Sequence, residues 1–154
     1  MQIVGFNFTK VLAERKPTIG PKTSINTNIE FLDLSKEEIE ILKDQEALKV
    51  TFNFSVIYSE NSEKEKPKEK TSKEESGKIS FEGIILLTSN SEEIKNILKS
   101  WKKKEIPNNL KVPLFNLILK RCSTKALDLE EQLNLPSHIP FPQITLKPKE
   151  GQSS

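Results

Sequence analysis

A single cysteine, Cys122, and a single histidine, His138, leave this 154-residue sequence without the ligand cluster of a zinc site or the pairing of a thiol nucleophile with a base. One thiol cannot close an intrachain disulfide and fits a reducing compartment, so a cytoplasmic address is expected. The five glycines, Gly5, Gly20, Gly77, Gly83 and Gly151, are scattered. No GxxxxGKS/T, GxGxxG or GxSxG pattern joins them, which excludes the familiar phosphate cradles and the strained serine elbow. Long apolar runs are absent too. The longest aliphatic stretch, 84–87, falls far short of a membrane span, and the start MQIVGFNFTK lacks the basic-then-apolar plan of a secretory signal. Neither sign of charge dominates: the net charge is +2 with acids and bases interleaved, which gives little support to a nucleic-acid surface. The expectation is a soluble protein, not an enzyme, with no cofactor, no metal and no membrane insertion.

What is present is polar for a globular core, 34% hydrophobic and 30% charged, so part of the chain is expected to lie outside that core. The run SENSEKEKPKEKTSKEESG, 59–77, has no apolar side chain other than Pro67. It cannot bury enough surface to offset the entropy of ordering, and reads as a flexible charged loop. The length predicts one domain, over 1–148, followed by a disordered tail at 149–154.

In LKVTFNFSVIY, Leu48, Val50, Phe52, Phe54, Val56 and Tyr58 alternate with mostly polar residues, which predicts a central strand with one buried face. Neighbouring strands are expected at 3–12, with Val4, Phe6 and Phe8 in phase, at 23–33, with Ile25, Thr27, Ile29 and Phe31 in phase, and at 78–88. In the last of these Ile79, Phe81, Ile85 and Leu87 face one way and Ile84 and Leu86 the other, so part of the second face needs cover. Consecutive strands with no crossover helix favour an antiparallel sheet. The stretch 35–47 reads as a short helical turn, with Ser35 as cap and Glu38 in capping-box position.

Two helices are expected after the strands. In 91–104, Ile94, Ile97, Leu98 and Trp101 fall at helical spacing behind Ser91 as N-cap and ahead of lysines that suit the C-terminal dipole. The second, 113–134, starts with Pro113 in its first turn. Its stripe of Leu114, Leu117 and Ile118 is widened by Phe115, Leu119, Cys122 and Ala126 beyond what one sheet can cover. A homo-oligomer is therefore expected, with Phe115, Leu119, Cys122 and Ala126 at the subunit interface.

Two further segments bear on function. WKKK, 101–104, could stack on a base and neutralise phosphates, or could be the last core contact of its helix followed by a solvated basic end; the second is the simpler reading. In LPSHIPFPQITL, 135–146, three prolines bar a helix and hold the backbone extended. Leu135, Ile139, Phe141, Ile144 and Leu146 then form a strip, either a lid over the core or one lip of a groove for another chain's apolar residues. His138 reads as an ordinary, partly exposed residue.

The segment FPQITL, 141–146, comes after a long helix that itself follows four strands, and in this the sequence resembles the SecB family of export chaperones, where a Phe-Pro-x-hydrophobic-x-hydrophobic stretch recurs after the main helix. IVGFNFTKVLAE, with Thr9 and Lys10, is similar to the family's first strand, RKPTIGPKTS stands where its crossover loop lies, and LFNLILKRC is similar to the start of its long helix. The resemblance implies an α+β fold: a four-stranded antiparallel sheet with two C-terminal helices on one face, assembled as a dimer of dimers. It also implies an ATP-independent holdase for unfolded or precursor polypeptides. The client groove would then lie between the crossover segment, with Ile19, and the strip, with Leu135, Ile139, Phe141, Ile144 and Leu146, joined by Phe115 and Trp101. The sequence departs from the family in its longer hairpin at 59–77 and in reading KPKEGQSS where the family has a further helix. Two rival readings remain: a nucleic-acid-associated protein using Trp101, Lys102, Lys103 and Lys104, joined by Lys111, and a structural subunit whose strip is covered by one dedicated partner.

Overall fold

The alternating residues Leu48, Val50, Phe52, Phe54, Val56 and Tyr58 are all excluded from solvent, which a strand achieves only with neighbours on both sides and a layer over one face. The computed structural model describes residues 1–38, 46–60 and 75–146. It comprises β1 (Gln2–Arg15), β2 (Thr23–Glu37), β3 (Glu46–Glu60), β4 (Glu75–Ser89), α1 (Ser91–Trp101) and α2 (Asn108–Leu133). The fold is α+β: the strands form a single four-stranded sheet in the order β1-β4-β3-β2, every neighbouring pair antiparallel, with both helices on one face. Because β1 and β2 occupy opposite edges, residues 16–22 must cross the ends of both central strands, a span of about 14 Å at the usual strand spacing.

Register decides which side chains meet the helices. Phe54 lies opposite Phe81, Val50 opposite Ile85 and Val56 opposite Ile79, so the central pair presents a continuous apolar face. Phe52 is opposite Gly83, which in turn is opposite Phe8 on β1. The Phe52 ring fills the space that a side chain at position 83 would occupy: a Cβ there would stand 2.6 Å from Phe52 Cζ and 2.8 Å from the Asn7 carbonyl oxygen. On the opposite face Asn53, Ser55, Thr51 and Glu82 point away from the helices, with Ile84 and Leu86 half exposed among them. The cover expected for that second face is not supplied by α1 or α2.

Several expected boundaries move. β2 continues through Ser35 to Glu37, so Ser35 caps no helix, and 39–45 lies outside the described residues. β3 runs to Glu60 and β4 starts at Glu75, so the ladder, with Ser59 opposite Glu75, extends into the charged run from both ends. A backbone ladder needs no apolar side chain to propagate. The remainder of the predicted loop, 61–74, and the tail at 149–154 lie outside the described residues. Asn90, not Ser91, caps α1, its side-chain oxygen accepting from the Glu93 amide at 2.8 Å.

α2 begins before Pro113, at Asn108, because its buried stripe already begins at Leu110. That stripe runs Leu110, Leu114, Ile118, Cys122, Ala126 and Glu130, one residue every four, so it winds slowly round the helix as α2 crosses the twisted sheet. Cys122 and Ala126 are thus core residues of their own chain, wholly buried against the sheet, and the expectation that they face a partner subunit is corrected. Burial pushes the Cys122 thiol up to about 12. On the flank of α2 toward β1, Arg121 and Lys125 lie over the half-buried rings of Phe6 and Phe8, at 5.4 and 5.6 Å. Leu119, nearly half a turn from Arg121, remains exposed. No helix among the described residues is long and apolar enough to cross a membrane.

Gly83→Ala is expected to lower unfolding stability by about 1–3 kcal/mol, since both a ring and a backbone carbonyl must yield. Gly5→Ala, whose Cβ would meet nothing closer than 3.5 Å, serves as the control and should leave the urea midpoint almost unchanged. Equal midpoints for the two variants would contradict this account of the sheet.

Candidate functional site

Two places on the helix-bearing face gather the residues of interest, one at each end of α2. At the C-terminal end the helix stops because Asn134 adopts a left-handed conformation, at φ 51°, and the Leu135 amide turns back to the Glu130 carbonyl at 2.8 Å. Pro136 then prevents the helix from resuming. The guanidinium of Arg15 donates to the Leu133 and Asn134 carbonyls at 2.8 and 3.1 Å and to the Pro17 carbonyl at 3.3 Å. A cation there complements the negative end of the helix. It also joins the start of the crossover segment to the root of the C-terminal strip.

Beneath that root lies a buried polar cluster. The Glu130 side chain is 1% exposed and the His138 side chain 3%. The Glu130 carboxylate accepts from the Tyr58 hydroxyl on β3, from the His138 backbone N–H at 2.8 Å, and at its other oxygen from His138 Nδ1 at 2.7 Å. The imidazole and the Phe54 ring meet at a steep angle, 76° between planes, with centroids 6.1 Å apart. Burial, then the hydrogen bond to Glu130 and its negative charge, hold the Tyr58 phenol well above the ordinary tyrosine range, so it remains a donor. Nε2 of His138 has no partner among the described residues. His138, read from sequence as ordinary and partly exposed, is therefore a peg: its backbone is near the surface and its ring is inside.

The strip divides at this peg. Leu135 is buried, its Cδ2 packed over Gly77 where a Cβ would stand 3.1 Å away, so it seals the core and is not open to a client. Beyond His138 the strip is open: Ile139, Phe141, Ile144 and Leu146 are all exposed, and the last two stand wholly in solvent. Ile19, on the crossover segment, is half buried against the core. Its segment is held by the Gly20 amide, which donates to Glu60 Oε1 at 2.8 Å.

Phe115 is elsewhere. It lies some 18 residues before the end of α2, about 27 Å along the axis, and half buried. Its ring stacks on Phe31 of β2, with centroids 5.2 Å apart and planes at 11°. Together with Trp101, Ile29 and Ile106 these rings line a cleft of about 330 Å³. The structure thus brings Phe115 to Trp101, and the crossover segment to the root of the strip, but as two separate places.

Sequence reasoning missed Glu130 and Tyr58. Glu130 was detectable as the one charge on a stripe spaced by four, and Tyr58 as the last member of the β3 alternation. Their convergence with His138 depends on tertiary contact and leaves no local trace.

No protein-family model and no curated protein sequence matches the chain. Among solved structures it is similar to the Mycobacterium tuberculosis SecB-like chaperone Rv1957 in complex with a ChAD peptide from the Rv1956 HigA1 antitoxin, at 14% sequence identity and a TM-score of 0.46, over 96% of this chain and 91% of that one.

Removing the carboxylate should release the strip at its root. Glu130→Ala leaves three donors, the Tyr58 hydroxyl and the His138 amide and ring N–H, without their acceptor and is expected to cost about 3 kcal/mol or more, and Tyr58→Phe about 1.5–3 kcal/mol. Hydrogen exchange at the His138 amide should accelerate strongly in Glu130→Ala while the amides of the β3–β4 ladder remain protected. A slow His138 amide in that variant would remove the cluster from this role.

Proposed function

We propose that the protein binds apolar segments of non-native polypeptides and, without ATP, holds them from aggregating. The observation that carries this reading is the exposure of the strip beyond His138, where Phe141 is 58% exposed and Ile144 and Leu146 are fully so. Single apolar side chains at a surface are ordinary, but several on one extended segment form a surface that prefers a partner to water. Pro140 and Pro142 hold that segment extended before any client arrives, so little ordering entropy remains to oppose binding. Each contact is weak, and several on one client raise avidity without demanding a particular sequence.

A homo-oligomer belongs to this proposal. β1 is an edge strand that leaves Ile3, Val4 and Val11 exposed, and α2 leaves Val112 and Leu119 exposed. A second copy laid along β1 would pair with its outer backbone edge and cover Ile3, Val4 and Val11 together, while Val112 and Leu119, on the flank of α2 away from β1, offer a separate apolar contact.

Purified protein should suppress the thermal aggregation of two unrelated clients at near-equal molar ratios. The triple variant Phe141→Asp, Ile144→Asp, Leu146→Asp should need about ten-fold more protein for the same effect, equivalent to the loss of one or two modest apolar contacts. Its unfolding midpoint should not move, because those side chains are already in solvent. Suppression of neither client, or an unweakened variant, would refute the proposal. Light scattering should give a mass above the 17.6 kDa of one chain, falling toward it in Val11→Lys with the circular dichroism unchanged; a monomeric parent protein would remove the oligomer.

A further inference from the structure

The cleft at the N-terminal end of α2 has a composition that selects among polypeptides. Its floor is apolar, built from Ile29, Phe31, Trp101, Ile106 and Phe115, and its rim carries Lys104 and Lys111. The Lys104 ammonium stands over the Trp101 ring at 4.6 Å and that of Lys111 over the Phe115 ring at 5.4 Å. Neither lysine makes an ion pair among the described residues. Among the described residues the one acid in the lining is Glu30, and its carboxylate is directed away. Glu30 lies opposite Asn53, on the face of β2 that points away from Phe31, and accepts there from the Asn28 side chain at 3.1 Å. The cleft also borders the outer edge of β2, whose backbone groups have no strand partner among the described residues.

We infer that this cleft binds an extended polypeptide segment in which an aromatic or large aliphatic side chain is flanked by aspartate or glutamate, the apolar side chain entering among Phe31, Trp101 and Phe115 and the carboxylates meeting Lys104 and Lys111. The inference rests on the proposed polypeptide-binding function and adds a preference that an apolar strip alone cannot give. Three physical points favour it. The volume, about 330 Å³, accommodates one or two side chains and no more. The open edge of β2 can pair with an extended backbone, leaving alternate side chains to enter the cleft. Finally, a lysine already poised over a ring loses little on pairing with a carboxylate at the rim, so the charge acts as a filter while the floor supplies the attraction.

A nucleic acid would also bring negative charge, but the cleft offers bases little to stack on. Phe115 has Phe31 against one face and Lys111 over its ring, and the Trp101 ring is covered by Lys104. Sequence-tolerant binding of single strands depends on open aromatic faces.

Trp101 is the only tryptophan, so its fluorescence reports directly on the cleft. The probes are short synthetic peptides with a common central Phe-Leu pair, flanked either by aspartates or by lysines, and a third with aspartates around Ala-Ala. The aspartate-flanked Phe-Leu peptide should shift Trp101 emission saturably and bind about ten-fold more tightly than the lysine-flanked one, a difference that narrows when salt is raised to about 0.5 M. The Ala-Ala peptide should not bind measurably. Lys104→Glu with Lys111→Glu, both exposed positions, should reverse the preference while leaving the unfolding midpoint unchanged. Equal affinity for both flanks, no reversal in the double variant, or a stronger response to a single-stranded oligonucleotide than to any peptide would overturn the inference. So would a silent Trp101 in protein that still suppresses aggregation, and in that case the proposed function stands without this cleft. Loss of both responses removes the two together.

Discussion

The C-terminal half of this structure depends on one buried carboxylate. Taking Glu130 out of water is costly unless its oxygens are hydrogen-bonded, and here three donors from two residues meet them: the Tyr58 hydroxyl, the His138 backbone amide and the His138 ring. The arrangement is therefore a tie as well as a cluster. It joins β3, the last turns of α2 and the segment after the helix, and none can move without leaving a polar atom unsatisfied in an apolar surround. Arg15 adds a second tie from β1 to the same helix end, through the Leu133 and Asn134 carbonyls. The point at which the chain leaves the core is thereby fixed in position and direction.

A fixed helix between two apolar places acts as a ruler. α2 is held along its length by a stripe of one buried residue in four, so the cleft near Phe115 and the root of the strip near Leu135 are kept roughly 27 Å apart. An extended client chain covers that distance in about eight residues. Under the proposed function a segment with apolar residues at such a separation engages both places at once, whereas a folded protein, whose apolar side chains are already inside, offers nothing to bridge. Selection for the unfolded state then comes from spacing and exposure, with no need for a deep pocket.

The parts of this fold legible in the sequence are those where a period repeats locally. The β3 alternation is unmistakable because both neighbouring strands and the helices share its buried face, so no position can deviate. β1 is less regular: as an edge strand it has irregularities in register at Ile3–Gly5 and Phe8–Lys10, which break the alternation of Val4 with Phe6 and Phe8. The start of α2 was obscured by Pro113, which resembles a first-turn proline but lies on the exposed side of a helix already begun, where water can take the carbonyl it leaves unpaired. Cys122 and Ala126 were assigned to a partner because a straight helix of ordinary period spreads them away from Leu114. Over a twisted sheet the contact line follows the four-residue row, and both fall inside. The candidate site was legible only in part: the strip announced itself through its prolines and apolar side chains, while Glu130, Tyr58 and Phe31 acquire their roles from partners far away in sequence.

An exposed apolar strip is a hazard as well as a tool, and the same residues address both. Extended apolar chain with free amides is a template for uncontrolled pairing with other chains. In 139–146, Pro140 and Pro142 each remove an amide from the backbone, so the strip cannot supply the unbroken row of donors that a growing sheet requires. What remains available is mainly side-chain surface, suited to weak and reversible contact. The prolines also restrict the strip from folding back, and the His138 peg sets the direction in which it leaves the core. Were the strip joined by a flexible link, it could collapse onto the half-exposed Phe6 and Phe8 and hide the very surface a client would need. Stiffness at the root and within the strip keeps apolar side chains in water at a cost that the buried cluster offsets, which is why the polar tie and the apolar strip belong to one device.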